Sequence, residues 1–247
     1  MNKVIVTGAS GILGRVLVQL LNENGYFVIG LDQITSIYQN VHYQHFEIDL
    51  TSPDEISRFC KTLGVTPIYG LVNNAAVKPE GFFSSSENYS TETWNKVLDV
   101  NLTAPFLLSR NLFPNLKIST SSVIVNISSI YGLRAPIKQI YDGANYPAMG
   151  GKISTPISYS VTKSAILGLT RHLSSEWGDF GIRVNSVTPG GIFSGQNDVF
   201  VKKYSSYTSL GRMATELDIG KAILFLLSDG AEYISGHNLI VDGGWTI

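Results

Sequence analysis

The 247-residue sequence predicts an α/β fold, a single doubly wound domain with a mostly parallel seven-stranded sheet and helices on both faces. Three features carry this expectation. Short apolar runs of strand length alternate with longer stretches of helical period, the pattern of a parallel sheet covered on both sides. A glycine-rich turn directly follows the first strand. The 44% hydrophobic content fits one well-filled core, in a chain whose length suits a single unit of this class.

In chain order, strands are expected over residues 3–7, 26–31, 43–48, 69–73, 122–127, 182–187 and 238–241, and helices over 12–24, 53–63, 91–116, 157–177 and 216–228. The first strand opens on Lys3-Val4-Ile5-Val6 and the second reads Phe27-Val28-Ile29-Gly30-Leu31-Asp32. Ser52-Pro53-Asp54-Glu55 starts a helix: a capping hydroxyl, a proline at the first helical position, then acids. Trp94 and Leu98 share the core side of the long helix over 91–116. No repeat, low-complexity tract or linker divides the chain, so one domain over 1–247 is expected. Two segments break the alternation: 131–156, rich in Gly, Pro and Tyr, and 190–210, rich in Ser and Tyr. Loops of that length in a compact domain usually carry function.

Composition removes whole classes of activity. No run approaches the roughly 18 apolar residues of a membrane helix. With a formal net charge of −1 and only 15% charged residues, the chain offers no basic field to nucleic acid or to a membrane surface. A small polar molecule is the expected ligand, and the low charge hints at apolar faces covered by identical subunits. The N-terminus enters a strand pattern at once, without a charged leader or apolar signal core, so a cytoplasmic location is expected. Cys60 has no partner for an internal disulfide, and His42, His45, His172 and His237 lack ligand spacing; no metal is expected.

After the first strand comes Thr7-Gly8-Ala9-Ser10-Gly11-Ile12-Leu13-Gly14. Glycines belong there because a Cβ would block the tight turn, the approach of a pyrophosphate or close helix–strand packing. The N-terminus of the next helix adds N–H donors and a partial positive charge. The combination is a Rossmann-like dinucleotide site, contributed by Gly8, Ser10, Gly11, Ile12, Leu13 and Gly14. Asp32 ends the second strand, where an acid accepts hydrogen bonds from adenosine ribose hydroxyls and repels a 2′-phosphate. NAD(H) is therefore preferred, with NADP(H) kept as the alternative by Arg15 just after the turn.

Tyr159-Ser160-Val161-Thr162-Lys163 places a tyrosine and a lysine four apart on one helix face. A free phenol has a pKa of about 10, too high for acid–base work near neutrality, and a cation one turn away lowers it. In isolation this pair is common.

The surrounding residues change its weight. The Thr7–Gly14 turn, Asp49-Leu50, Asn73-Asn74-Ala75, Asn101 in Val100-Asn101-Leu102, Ser129 in Val125-Asn126-Ile127-Ser128-Ser129, Tyr159 with Lys163, Pro189-Gly190 and the ending Val241-Asp242-Gly243-Gly244-Trp245 occur in one order along the chain. In that order the sequence resembles the short-chain dehydrogenase/reductase family over nearly its whole length. The resemblance implies that Tyr159 passes the proton, Ser129 hydrogen-bonds the substrate oxygen, Lys163 tunes the tyrosine and holds the nicotinamide ribose, and Asn101 anchors a relay water. Ser128 stays as the rival to Ser129. It further implies that Asp49 and Leu50 face the adenine, Asn73 and Ala75 lie along the adenosine ribose, and Pro189, Gly190, Ile192 and Ser194 line the nicotinamide. The activity implied is hydride transfer between a secondary alcohol and a ketone, in a dimer or tetramer joined through the helices at 91–116 and 157–177.

Two features depart from the family pattern. Glycines at 8, 11 and 14 have the spacing of its extended, nucleotide-sugar-modifying branch, although the chain leaves no room for that branch's substrate domain. Ser129 and Tyr159 lie thirty apart, about twice the family interval, so 131–156 is an insertion over the active site. It holds Tyr131, Arg134, Lys138, Gln139, Tyr141, Asp142, Asn145 and Tyr146, a set suited to a hydroxyl-rich or phosphorylated ligand or, alternatively, to packing on a neighbouring subunit. Tyr131, Arg134 and Tyr146 are the expected substrate contacts, with Arg134 on an anionic group. Residues 190–210 fill the place of a substrate lid. Tyr146-Pro147-Ala148-Met149 with Gly190-Gly191-Ile192-Phe193 and Gly195-Gln196 is similar to oxidoreductases of flagellin-modification and nonulosonic-acid pathways, which implies carbohydrate metabolism and a sugar or sugar-phosphate substrate. Two other functions stay open on the sequence: a non-redox epimerase or dehydratase using bound NAD, and a silent dinucleotide-binding regulator.

Overall fold

The computed structural model describes residues 1–146 and 153–247; Pro147, Ala148 and Met149 of the insertion lie outside them. Seven parallel strands form one sheet in the order β3-β2-β1-β4-β5-β6-β7. The strands are β1 Lys3–Thr7, β2 Phe27–Asp32, β3 Tyr43–Glu47, β4 Gly70–Asn73, β5 Val123–Ile127, β6 Arg183–Pro189 and β7 Asn238–Val241. The helices are α1 Ile12–Glu23, α2 Pro53–Thr62, α3 Thr91–Leu98, α4 Ala104–Lys117, α5 Ile157–Trp177, α6 Asp198–Ser205 and α7 Glu216–Leu227.

Strand residues alternate between two apolar layers, as the pleat requires. Val4, Val6, Val28, Val72, Val123 and Val125 pack on Leu17 and Leu21 of α1 and Ile219, Ile223 and Leu227 of α7. Ile5, Ile29, Leu71, Ile124 and Val184 face the other way, against Ile56 of α2, Leu108, Leu112 and Leu116 of α4, and Leu173 and Trp177 of α5. Central strands therefore read as unbroken apolar runs, while edge strands β3 and β7 keep partly exposed residues.

Helix starts follow local chemistry. Ser52 accepts from Glu55 N at 3.3 Å with Pro53 at the first turn, and Thr215 with Asp218 forms a reciprocal capping box at α7. The helix expected over 91–116 is interrupted by a π-helical turn at Asp99–Thr103. Pro105 has no N–H and its ring crowds the carbonyl four residues back, that of Asn101, so the regular ladder cannot pass this point. Residues 198–205, expected as loop, form α6, capped by Asn197, whose side chain accepts from Phe200 N.

The strand order reverses direction between β1 and β4, and the crevice beyond their C-terminal ends is where this topology places a ligand. Thr7 and Asn74 join the two strand ends. Thr7 Oγ1 accepts from the N–H groups of Asn74 and Ala75, each at 3.0 Å, and Asn74 Nδ2 donates to the carbonyls of Thr7 at 2.9 Å and Gly8 at 3.2 Å.

Leu112 is fully buried beneath the sheet, whereas Val65 is 90% exposed. Leu112→Ala is expected to cost about 2–5 kcal/mol in urea unfolding and Val65→Ala under about 0.5 kcal/mol; equal effects would refute this placement of the core.

Candidate active site

A cleft of about 590 Å³ runs from the glycine turn to the substrate loops. Of the residues expected at a cofactor site, Gly8, Ser10, Gly11, Ile12, Leu13, Asp32, Leu50, Ala75, Pro189, Gly190, Ile192 and Ser194 line it. Gly8 sits at φ +66°, and a Cβ there would stand 2.9 Å from Ala75 Cα; on Gly14 it would stand 2.0 Å from the Gly8 carbonyl oxygen. Gly11 caps α1 without a side chain, leaving the first helical N–H groups without a side-chain acceptor. Asp32 is held by N–H donation from Ser10 at 2.9 Å and Ile34 at 3.2 Å, while Arg15 is exposed outside the cleft. A cradle that side chains would fill, an uncapped helix start and a carboxylate at the ribose position together fit a dinucleotide.

Three expected cofactor residues stand elsewhere. Gly14 is packing beneath the turn rather than lining. The Asp49 carboxylate is turned onto Thr51 N at 2.9 Å, Thr51 Oγ1 at 2.8 Å and Gln33 Nε2 at 2.7 Å, and those bonds hold its pKa below the ordinary carboxylate value against the opposing effect of burial. Its neighbours Ile48, Leu50 and Thr51 line the cleft in its place. Asn73 is buried in the sheet, where its Nδ2 donates to Asn126 Oδ1 at 2.8 Å, and Asn74 is the lining residue.

Ser129, Tyr159 and Lys163 converge on the cleft from different elements: the turn after β5 and adjacent turns of α5. Burial is the largest influence on Tyr159 and raises its phenol above the ordinary value; a hydrogen bond with Ser129 acts the other way. Lys163 is 3% exposed, donates to the Ile127 carbonyl at 2.7 Å, lies 5.7 Å from the Tyr159 ring centre, and is lowered by burial to about 8. The simple expectation of a cation pulling the phenol down is thus corrected: burial acts on both groups and favours the neutral form of each. Ser128 Oγ donates to the Lys163 carbonyl at 2.6 Å, which commits it to holding α5 and leaves Ser129 facing the cleft. Asn101 lies one layer behind, in the π-helical turn, accepting from Val77 N at 3.3 Å and donating to Thr162 Oγ1 at 3.4 Å.

Residues 139–145 of the insertion pack against α6 and the residue that caps it. Lys203 of α6 donates to the carbonyls of Gln139 at 3.1 Å and Asp142 at 2.7 Å, and Asn197 exchanges bonds with Asn145 and Gly143. Beneath them Trp245 meets Tyr204 and Tyr131. Tyr131 lines the cleft and begins a hydroxyl chain, 2.6 Å to Tyr141 and 2.6 Å from there to Thr155; burial raises the phenols of Tyr131 and Tyr141, so both stay protonated at neutral pH. Tyr146 also lines it. Arg134 does not: it is exposed and donates to the Thr246 carbonyl near the C-terminus, so the anion contact expected of it is absent from the cleft. Lys138 is exposed outside the cleft as well. Sequence reasoning missed Lys78, Phe82 and Phe83, which enter from the loop after β4; the run Lys78-Pro79 through Phe83 carried no periodic signal. Cys60 is buried and its thiol pushed up to about 12, an inert state. Among the described residues no helix is long and apolar enough to cross a membrane, and no cluster of His, Cys, Asp and Glu is placed to hold a metal.

A family model described as enoyl-(acyl carrier protein) reductase matches residues 8–246. The chain is 32% identical over 244 residues to a 3-alpha-(or 20-beta)-hydroxysteroid dehydrogenase of Mycobacterium tuberculosis, across 98% of this chain and 81% of that protein. Its structure is similar to a short chain dehydrogenase of Leptospira borgpetersenii with bound NAD+, at a TM-score of 0.89 and 32% identity over 100% of this chain and 93% of that one. It is also similar to a Beutenbergia cavernae protein described as an NAD(P)-dependent gluconate 5-dehydrogenase, with NADP at low occupancy, at a TM-score of 0.84 and 27% identity over 99% and 96%.

Because Lys163 titrates near 8 when folded against 10.5 for an ordinary lysine, the unfolded chain binds more protons across that window and stability rises with pH through it. Below pH 8 the full cost of burying the ammonium is present. The stability of the wild type relative to Lys163→Met is expected to rise by about 2–3 kcal/mol between pH 7 and pH 10 in the cofactor-free protein, measured by urea unfolding; a difference independent of pH would contradict the buried ammonium.

Proposed function

Because the chain belongs to the short-chain dehydrogenase/reductase family, whose members of this kind are NAD(P)-dependent oxidoreductases, we propose that it interconverts a polar secondary alcohol and its ketone with NAD(H) as the preferred cofactor. The convergence of Ser129, Tyr159 and Lys163 in the cleft that begins at the glycine turn is the observation that carries this reading.

When bound, the dinucleotide supplies the hydride acceptor for oxidation or the donor for reduction. Gly8 to Leu13 hold its pyrophosphate, Asp32 its adenosine ribose, and Pro189, Gly190, Ile192 and Ser194 its nicotinamide end. Tyr159 exchanges the proton with the substrate oxygen, and Ser129, which lines the same cleft, orients that oxygen. Lys163, when protonated, offsets the burial that otherwise disfavours the tyrosinate. Asn101 fixes Val77 and Thr162 and, through them, the spacing between the β4 loop and α5. Asp32 in the cleft and Arg15 outside it favour NAD(H) over NADP(H). The Tyr131–Tyr141–Thr155 hydroxyl chain suits a hydroxyl-rich substrate, with Tyr131 and Tyr146 as contacts. On the same reading the enzyme works in the cytoplasm as a dimer or tetramer, through α4 and α5, which expose Phe106, Ile157 and Val161.

Tyr159→Phe is expected to lower turnover by about 10²–10⁴-fold while leaving NADH affinity within about twofold, read by absorbance and by NADH fluorescence titration; unchanged turnover overturns the mechanism. NADH is expected to bind at least tenfold more tightly than NADPH, and Asp32→Ala to narrow that gap; tighter NADPH binding to the wild type would reverse the cofactor assignment.

A further inference from the structure

Among the described residues, the substrate end of the cleft holds one cation that the proposed chemistry leaves unused. Lys78 stands between two residues tied to the catalytic set: Val77 N donates to Asn101 Oδ1 at 3.3 Å, and the Phe82 ring meets Tyr159 edge-on with centres 6.4 Å apart. Its Nζ reaches over the ring of Tyr146, 5.9 Å from the centre, so the ammonium spans from the β4 loop to the insertion. Both residues line the cleft.

The other cations near this end are committed. Lys163 donates to the Ile127 carbonyl and Arg134 to that of Thr246, whereas Lys78 makes neither a salt bridge nor a side-chain hydrogen bond among the described residues. Of the described residues lining the cleft, Asp32 is the one carboxylate, and it belongs to the adenosine end. Lys78 is exposed overall, while the cleft walls beside it hold its pKa below the ordinary lysine value. A cation on the rim of a cleft, unpaired among the described residues, gains from an anionic ligand that enters it.

We infer that Lys78 is a specificity-determining residue that binds an anionic group of the substrate, carboxylate or phosphate, so that the substrate class is an anionic secondary alcohol or its ketone. This rests on the dehydrogenase reading of the same cleft. On this reading the anionic contact expected of Arg134 is supplied instead by Lys78, from the loop after β4.

The test is calorimetric titration of the full chain, with and without saturating NADH, using succinate and glycerol 3-phosphate against their neutral counterparts succinamide and glycerol. At least one anion is expected to bind at least tenfold more tightly than its neutral counterpart, and the stronger of the two identifies the charged group. Lys78→Met should weaken that binding roughly ten- to hundredfold and Lys78→Arg should restore most of it, with NADH affinity and melting temperature unchanged in both. No anion binding, equal binding of neutral and anionic probes, or anion binding indifferent to Lys78→Met overturns the inference. Failure of NADH binding or of Tyr159-dependent redox turnover counts instead against the dehydrogenase reading, so the two failures are read separately.

Discussion

The active-site geometry depends on how the turn after β5 docks onto the middle of α5. Gly132 lies so close that a Cβ on it would stand 2.3 Å from the Lys163 carbonyl oxygen. Ser128 Oγ donates to the same carbonyl, Ser164 Oγ returns a bond to the Gly132 carbonyl at 2.9 Å, and Lys163 Nζ reaches Ile127 O. These contacts leave α5 one position along the sheet. Ser129 and Tyr159 are distant in sequence, yet the seam sets their separation, because Ser129 follows Ser128 directly and Tyr159 lies one helical turn before Lys163.

This arrangement carries an electrostatic cost. Burial favours the neutral form of both Lys163 and Tyr159; for Lys163, charged in the unfolded chain at neutral pH, this works against the folded state, whereas the Tyr159 phenol is neutral there in both states. The cost is borne by a doubly covered sheet with no exposed central strand. Arg183 and Asp242 are buried as well, Arg183 donating to the carbonyls of Leu226 at 3.0 Å and Ile234 at 3.2 Å, whereas Arg212 grips Asp218 at 2.7 Å and 3.0 Å on the surface, where the pair organises the start of α7.

The substrate end is built differently. Its walls come from the loop after β4, the described part of the insertion and α6, and the last two pack on a small cluster of Ile130, Ile140, Phe200, Tyr204 and Trp245. The insertion therefore has two roles at once: it lines the cleft and anchors the lid helix. Among the described residues, aromatic walls with a few hydroxyls and Lys78 at the mouth make a site selective by placement of polar groups rather than by their number.

Sequence alone determined the strands, most helices, the glycine turn and the Tyr159–Lys163 pair, because each is encoded by local periodicity, by a steric requirement for glycine or by a fixed helical spacing. Ser129 is chosen over Ser128 on the motif; both line the cleft, and the structure adds that Ser128 Oγ is bonded to the Lys163 carbonyl. Pro105 was a legible signal for the break at Asn101 that the smooth helical pattern masked. Tertiary structure decided the rest. Asp49 and Asn73 sit beside the cleft but point into other partners, Arg134 turns to Thr246, α6 is stabilised by the insertion it covers, and Lys78 enters the site from a stretch with no periodic signal. The direction of a loop side chain is set by packing against residues scores of positions away, and neither periodicity nor spacing records that.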